Sequence, residues 1–236
     1  MSTESNNPRS RDIDEKSTAE IVRIINDEDF QAFKAVKESV LAVAKAAEIC
    51  FSSIEKGGRV IYVGAGTSGR IAVQDIVELE PTYGLDSRYF VYVMAGGEGA
   101  LLKSQEGSED DTGTAISKMK EIKLTSSDAV VGISASGRTP FVLSALKFAN
   151  ETGSYTIGIV NNAEMKFLNA SSIVRTLPAI VSVPVTVHLP LERFTVRDPR
   201  LFSPSGIIVA EIESVIPTIL SSPFERIARF IISGDR

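Results

Sequence analysis

Short apolar runs that alternate with helical patterns constrain this sequence more than any other feature. Four such runs, rich in Val, Ile and Tyr, lie at 59–63, 89–94, 129–133 and 155–160. Continuous apolar runs that end in glycine or hydroxyl residues are typical of strands buried on both faces of a parallel sheet. Because helical patterns separate the runs, we predict a doubly wound α/β fold, a parallel sheet with helices on both faces.

Caps and breakers predict where the helices begin and end. Before the first strand, Ser17 or Thr18 caps a helix that ends near Asn26, and a longer helix runs from Asp29 to Glu55. Further helices are predicted at 68–80, where Pro81 ends the helix, and at 98–104, 112–122 and 140–152. A fifth strand is expected to begin at 173–175.

Composition divides the chain into three parts. Residues 1–14 are rich in Ser, Asn, Arg and Asp, which predicts a mobile arm. Residues 15–175 form the α/β domain with its N-terminal helices. Residues 176–236 hold most of the prolines and are expected to be irregular: Pro184 allows at best an edge strand at 180–188, and helices are predicted at 206–216 and 224–232.

Charge and the scarcity of certain residues exclude several functions. The net charge is −5, so neither nucleic acid nor a membrane surface is an expected partner. No stretch resembles a signal peptide or a membrane span, and the single cysteine excludes an internal disulfide, so we expect a cytoplasmic protein. Cys50 lies in a helical pattern and is interpreted as a buried apolar residue. With one histidine, His188, far from that cysteine, neither a metal site nor a Ser-His-Asp triad is predicted, and no cofactor is expected.

The first candidate site is the loop Gly64–Arg70, between a strand and a helix. Its candidate ligand-binding residues are Gly66, Thr67, Ser68 and Gly69. Glycines let backbone N–H groups approach a ligand, and a helix N-terminus favours an anion. The loop also matches the dinucleotide pattern G-x-G-x-x-G, but the acidic residue expected at the end of the second strand is missing. Two hydroxyls suit a terminal phosphate better, and a dinucleotide oxidoreductase remains a distant alternative.

A second loop of the same chemistry follows the third strand. Its candidate residues are Ser134, Ser136, Gly137, Arg138 and Thr139. One such loop is explained by a capped turn, whereas two in one α/β unit favour a phosphate-bearing ligand.

Two acidic residues, Glu78 and Glu109, stand near these loops in sequence. From spacing alone, acids at helix ends are more often solvated or capping than catalytic.

Taken together, these segments resemble the N-acetylmuramic acid 6-phosphate etherases. The resemblance covers about residues 3–162 and is strongest in GGRVIYVGAGTSGRIAVQDIVELEPTYG, MAGGEGALLKSQEGSEDD and DAVVGISASGRTPFVLSAL. The chain departs from the family around Glu78, where Ile76-Val77 precedes and Leu79-Glu80 follows it, and residues 163–236 lack the family's Gly-Pro-Glu and Lys-Ala-Gly-Thr-Ala segments.

The resemblance implies an SIS domain, the doubly wound phosphosugar-binding fold, in a homodimer. It implies removal of D-lactate from the sugar by elimination followed by water addition, with Glu78 as the general acid and Glu109 as the general base. Two alternatives stay open: a non-catalytic sugar-phosphate regulator like the glucokinase regulatory protein, and a phosphosugar isomerase. Glu78 favours the enzyme, since the regulator branch does not keep an acid there.

Overall fold

The computed structural model describes residues 6–161 and the strand at 179–182. In chain order the strands are β1 (Val60–Gly64), β2 (Phe90–Met94), β3 (Ala129–Ile133), β4 (Tyr155–Val160) and β5 (Ala179–Ser182). The helices are α1 (Thr18–Glu38), α2 (Val40–Glu55), α3 (Gly66–Tyr83), α4 (Gly99–Leu102), α5 (Thr112–Glu121) and α6 (Pro140–Thr152). Short 3-10 turns lie at Pro8–Ser10, Ile13–Glu15, Ser87–Tyr89 and Ser108–Asp110.

The strands form one parallel sheet in the order β2-β1-β3-β4-β5. Helices α2 and α3 pack on one face, where the buried core includes Cys50, Tyr62, Leu79, Leu85 and Val131. Helices α5 and α6 pack on the other, where the core includes Ile61, Val63, Met119, Phe141 and Leu146. The predicted doubly wound α/β fold is therefore confirmed, and the first four predicted strands lie within one residue of their observed bounds.

The amino ends of β1 and β3 are held together by a buried carboxylate. Asp128 is 1% exposed and accepts hydrogen bonds from Arg59 N at 2.8 Å and from Thr125 N at 2.8 Å. The Arg59 guanidinium pairs with it at 2.9 Å. Burial raises the pKa of the Asp128 carboxyl, but the hydrogen bonds and the charge of Arg59 outweigh burial, so that this pKa lies below its usual value.

The N-terminal helices differ from their prediction. Helix α1 continues through residues 26–29, and the chain breaks instead at Ser39, whose hydroxyl donates to the Ala35 carbonyl at 3.0 Å. The run at 27–29 is polar but holds no glycine or proline, so nothing there ends a helix. Glu28 is buried by contacts with Asn7 and Arg9.

Part of the expected mobile arm is structured. Residues 8–15 form two 3-10 turns, Ile13 is 3% exposed, and Arg9 Nε lies 2.8 Å from Glu28 Oε1. An apolar anchor and an ion pair thus hold this stretch, which composition alone did not indicate. The domain boundaries themselves stay predictions.

Pro81 does not end α3, contrary to the prediction. It lies inside the last turns, where its missing N–H costs one intrahelical bond, and the helix continues to Tyr83. The helix ends at Gly84, whose φ of 66° is left-handed and whose N–H donates to the Glu80 carbonyl at 2.9 Å. The next residue, Leu85, is buried and fastens the end of the helix to the core.

The expectations for the C-terminal segment are only partly covered by the structure. Residues 180–182 lie in β5, which pairs with β4 at the end of the described sheet. The expected strand start at 173–175, the remainder of 180–188 and the helices at 206–216 and 224–232 lie outside the described residues.

We predict that Asp128→Asn lowers the free energy of unfolding by about 3 kcal/mol, because it removes the negative charge beside Arg59 and one of the two oxygens that accept the hydrogen bonds. Urea denaturation at pH 7 measures the loss. The control is Glu121→Gln, which removes the exposed ion pair with Lys118 and is expected to cost less than about 0.5 kcal/mol.

The pH dependence of the same variant is a second check. Since the folded pKa of Asp128 lies below the unfolded value of about 3.9, its stabilisation is present above that pH and disappears as the pH falls through the folded pKa. The deficit of Asp128→Asn should therefore be constant above about pH 4 and shrink below it. A deficit that grows toward acid pH would contradict the assignment.

Candidate functional site

The site lies at the point where the strand order of the sheet reverses. From β1 the chain crosses to β2 on one side, and from β2 it passes over β1 to β3 on the other. Gly64 and Ile133, the last residues of β1 and β3, are direct partners in the ladder. The two candidate loops therefore open side by side at the carboxyl edge, at the position where ligands bind in sheets of this kind.

The first loop presents free backbone donors. Helix α3 begins at Gly66, two residues before the predicted start, and the N–H of Gly69 makes a long bond of 3.4 Å to the Ala65 carbonyl. The N–H groups of Gly66, Thr67 and Ser68 belong to the first turn, where an α-helix offers them no partner. Gly66 has a φ of 55°, and a Cβ added there would meet nothing within 4 Å. The three donors thus stand at a helix N-terminus with open space beside Gly66, an arrangement that suits an anion.

Two other glycines of this loop serve close packing instead. A Cβ on Gly64 would lie 2.7 Å from the Gly69 nitrogen, and a Cβ on Gly69 would lie 2.8 Å from Met94 Cγ. Side chains at either position would push α3 away from β1 and β2. Gly69, named from the sequence as a ligand residue, is buried in this contact.

The second loop is shaped by its own hydroxyls. Ser134 is 3% exposed, and its Oγ accepts from Gly137 N at 3.1 Å and is 2.8 Å from Thr139 Oγ1. Ser136 Oγ accepts from Arg138 N at 3.2 Å. Ser134 therefore holds the loop in shape, whereas Ser136 is only partly buried and Arg138 is exposed just before α6 begins.

The two acidic residues lie at opposite edges of the sheet. Glu109 is in the turn Ser108–Asp110, which precedes α5 and packs against α6. Both helices begin at the carboxyl edge, so Glu109 lies on the side of the two loops. Glu78 is exposed near the end of α3, and twelve residues separate it from Gly66, about 18 Å along the helix axis. Within one chain the structure brings Glu109, but not Glu78, to the edge that holds the loops.

Asp75 is a partly buried acid, with its Oδ2 shielded from solvent, that the sequence analysis missed. Burial raises the pKa of its carboxyl to about 6, while a hydrogen bond with the Tyr62 hydroxyl lowers it. Among the described residues its Oδ2 has no hydrogen-bond partner. An acid on the sheet-facing side of an otherwise apolar stripe, beside Ala72 and Ile76, is the signal that could have identified it.

Burial raises the pKa values of both Cys50 and Tyr62, so that neither side chain ionises readily. Burial raises the pKa of the Cys50 thiol to about 12, so it stays protonated, which agrees with its interpretation as a buried apolar residue. Burial, followed by the nearby Asp75, also raises the pKa of Tyr62 well above its usual value.

The described residues form neither a cluster of metal ligands nor a helix that could cross a membrane. Within residues 6–161 and 179–182, no three His, Cys, Asp or Glu side chains lie close enough to hold a metal ion. None of the helices in that part of the chain is both long and apolar enough to span a bilayer.

Comparison with known proteins identifies the relatives of this chain. The model of the glucokinase regulatory protein N-terminal SIS domain matches residues 42–150. N-acetylmuramic acid 6-phosphate etherases from Mycoplasma mycoides subsp. mycoides SC and Clostridium botulinum strain Eklund 17B are 43% and 46% identical over 185 and 167 residues. The chain is a relative of the N-acetylmuramic acid 6-phosphate etherases. The resemblance stated from its motifs is thereby confirmed.

The alignments with the two etherases cover a larger share of this chain than of the etherases themselves. It covers 77% and 70% of this chain, but 61% and 56% of the Mycoplasma and Clostridium etherases. The chain thus spans less than two thirds of the length of these etherases.

Solved structures agree on the fold. Phosphoheptose isomerases from Neisseria gonorrhoeae and Francisella tularensis superpose with TM-scores of 0.58 and 0.55, at 18% and 17% identity. They cover 89% and 88% of this chain, and the alignments span 99% and 98% of those isomerases. At this identity the likeness shows the fold alone, which this chain shares with the two isomerases.

We predict that Asp75 makes stability depend on pH between about 4 and 6. Its folded pKa of about 6 lies above the unfolded value of about 3.9, so the folded state binds the proton more tightly. Its contribution to the free energy of unfolding therefore falls as the pH rises through this window and is constant above it. Compared with wild type, Asp75→Asn should gain stability from pH 4 to pH 6 in urea titrations.

Tyr62→Phe is the matched variant for this prediction. It removes the hydrogen bond that lowers the pKa of Asp75, so the window should extend to higher pH. An unchanged difference between Asp75→Asn and wild type across the pH series would show that the carboxyl does not titrate there.

Proposed function

We propose that this chain is an etherase that cleaves the D-lactyl ether of N-acetylmuramic acid 6-phosphate to N-acetylglucosamine 6-phosphate and D-lactate. The observation that supports it most is the identity of 43–46% with proteins of that name, over about two thirds of the chain or more. The reaction belongs to the recycling of cell-wall sugars in the cytoplasm, which fits the expected location.

The sugar phosphate binds between the two loops. The N–H groups of Gly66, Thr67 and Ser68 donate to the phosphate oxygens, and the Thr67 and Ser68 hydroxyls add further donors. From the second loop, Ser136, Thr139 and the exposed guanidinium of Arg138 complete the cradle. Ser134, Gly137 and Gly69 act indirectly by keeping the loops in shape.

The chemistry needs a base and an acid. Ring opening makes the C2 proton acidic, because the adjacent C1 becomes an aldehyde. Glu109 takes this proton, the C3–O bond to lactate breaks, and the departing oxygen receives a proton from Glu78. Water then adds across the resulting double bond at C3, so that the sugar regains a hydroxyl and both carboxyls return to their starting protonation states.

A second copy of the chain supplies Glu78. Along α3, this residue lies about 18 Å from Gly66, which is more than a sugar 6-phosphate can span. In a homodimer Glu78 of one subunit reaches the loops and Glu109 of the other. The neighbouring Val77 is 58% exposed, and an apolar side chain exposed beside Glu78 fits a surface that another subunit covers.

A regulator of the glucokinase regulatory protein type is the second candidate. The match of residues 42–150 to the SIS domain of that protein favours it. Such a protein binds sugar phosphate without turnover. A phosphosugar isomerase is supported only by the shared fold.

The deciding experiment is a D-lactate assay on the purified chain with N-acetylmuramic acid 6-phosphate. Wild type should release lactate, and Glu78→Gln and Glu109→Gln should each lose at least about 100-fold in kcat, because general acid–base groups contribute about that much. Thermal shift with N-acetylglucosamine 6-phosphate verifies that the variants still bind. Binding without lactate from wild type would favour the regulator, and C1–C2 isomerisation without lactate would favour the isomerase.

Subunit complementation tests the shared site. Glu78→Gln and Glu109→Gln are mixed in equal amounts, unfolded and refolded together. Half of the dimers are then mixed, and each has one site with both acids intact, so about a quarter of wild-type activity should return. If the mixture remains inactive while each variant is folded and dimeric, the two acids do not come from different subunits.

A further inference from the structure

Arg70 bonds to the protein rather than extending freely into the cradle. Its Nε donates to the Ala100 carbonyl at 3.0 Å and to the Leu101 carbonyl at 3.2 Å. Both acceptors lie in α4, the short helix after β2. The contact therefore joins the first turns of α3, where the phosphate donors lie, to the segment that follows the neighbouring strand.

A glutamine side chain lies against the glycines at the start of that segment. Gln105 lies against Gly96 and Gly99: a Cβ on Gly96 would be 3.0 Å from its Oε1, and one on Gly99 would be 2.7 Å from its Nε2. A Cβ on Gly96 would also be 3.0 Å from the Ala100 Cβ. The Gln105 side chain thus lies against the start of α4, which Arg70 bonds to α3.

The same chain of contacts reaches Glu109. The Ser108 hydroxyl donates to the Gln105 carbonyl at 2.7 Å, which fixes the near side of the turn that contains Glu109. On the far side, Asp111 caps α5 by accepting from Thr114 N at 2.9 Å. The turn is therefore anchored at one end by α5 and at the other, through Gln105 and α4, by Arg70.

We propose that Arg70 is a positioning residue that fixes Glu109 relative to the phosphate cradle. The proposal rests on the proposed etherase function for the role of Glu109. A base must approach its proton within hydrogen-bond distance, so the distance between cradle and carboxylate decides the rate of C2 proton removal. Through its Nε, Arg70 sets this distance by bonding the cradle helix to the segment that leads to the base.

Two substitutions separate this role from phosphate binding. In Arg70→Lys the positive charge remains, but a methylene takes the place of Nε, so the donor to the two carbonyls is lost. In Arg70→Gln the charge is lost, but the side-chain amide nitrogen stands at the same distance from the backbone as Nε and still donates. If Arg70 acts by positioning through Nε, Arg70→Lys should lose more activity than Arg70→Gln. If it acts by pairing its charge with phosphate, Arg70→Gln should lose more than Arg70→Lys.

Steady-state kinetics on the full chain test the kinetic consequence. Arg70→Lys should lower kcat by about 10- to 100-fold, the effect expected of a small misplacement of a catalytic group, while its affinity for inorganic phosphate stays within about twofold of wild type. Arg70→Gln should keep kcat within about threefold, because the bonds to α4 survive. Arg88→Lys, at the exposed Ser87–Tyr89 turn before β2, is the matched control and should leave kcat unchanged.

Hydrogen exchange measured by mass spectrometry tests positioning without relying on catalysis. Amides of 99–110 should exchange faster in Arg70→Lys than in wild type, and at the wild-type rate in Arg70→Gln. The proposal is overturned if exchange there is unchanged in Arg70→Lys, or if Arg70→Gln loses phosphate affinity and kcat while Arg70→Lys keeps both. Absence of lactate from wild type would refute the etherase function, and the exchange data would still decide whether Arg70 holds the segment.

Discussion

The parallel pairing of β1 with β3 is the contact on which the candidate site depends. It is fixed at the amino edge, where Asp128 accepts from Arg59 and Thr125 and the Ala129 N–H donates to the Arg59 carbonyl at 2.8 Å. A register fixed there is transmitted along five paired residues, which places Gly64 opposite Ile133 at the carboxyl edge. A slip by one residue would turn the faces of the strand over and separate the two loops. The geometry of the loops is therefore determined by an ion pair at the other end of the strands.

Close packing at two glycines then places helix α3 beside the paired strands and so shapes the candidate site. Gly64 and Gly69 let α3 approach β1 and β2 so closely that no Cβ fits between them. The same approach directs the first turn of α3, with its unpaired N–H groups, into the space above β1. In the second loop a buried serine has the corresponding task, since Ser134 receives the Gly137 N–H and pairs with Thr139. Gly64, Gly69 and Ser134 thus shape the loops, whereas the proposed ligand contacts come from other residues, of which Ser136 and Thr139 also bond within their own loop.

The sequence predicted the strands and the order of the elements well, because buried strands give continuous apolar runs that end at glycine or hydroxyl residues. It failed where the decisive contact is not local. Pro81 is tolerated in the last turn because Gly84 and the buried Leu85, three and four residues later, end α3. The bend at Ser39 replaces a break that the polar run at 27–29 had suggested. Arg70 belongs to a loop motif, yet its partners are thirty residues away. Asp75 was overlooked because an acid in a helix is usually solvated, and only its burial against Tyr62 distinguishes it.

Helix α3 connects the two halves of the proposed chemistry. Its first turn provides anion donors at the carboxyl edge, and its exposed end presents Glu78 at the opposite edge. One rigid helix cannot bring both ends to the same small molecule, whereas in a pair of subunits each α3 can serve one site with its first turn and the other with Glu78. In that arrangement the packing of α3 against β1 determines the geometry of both sites at once. The contacts of Arg70 would then extend the same control to Glu109. The phosphate, the acid and the base at each site would all be positioned by the α3 helices of the two subunits.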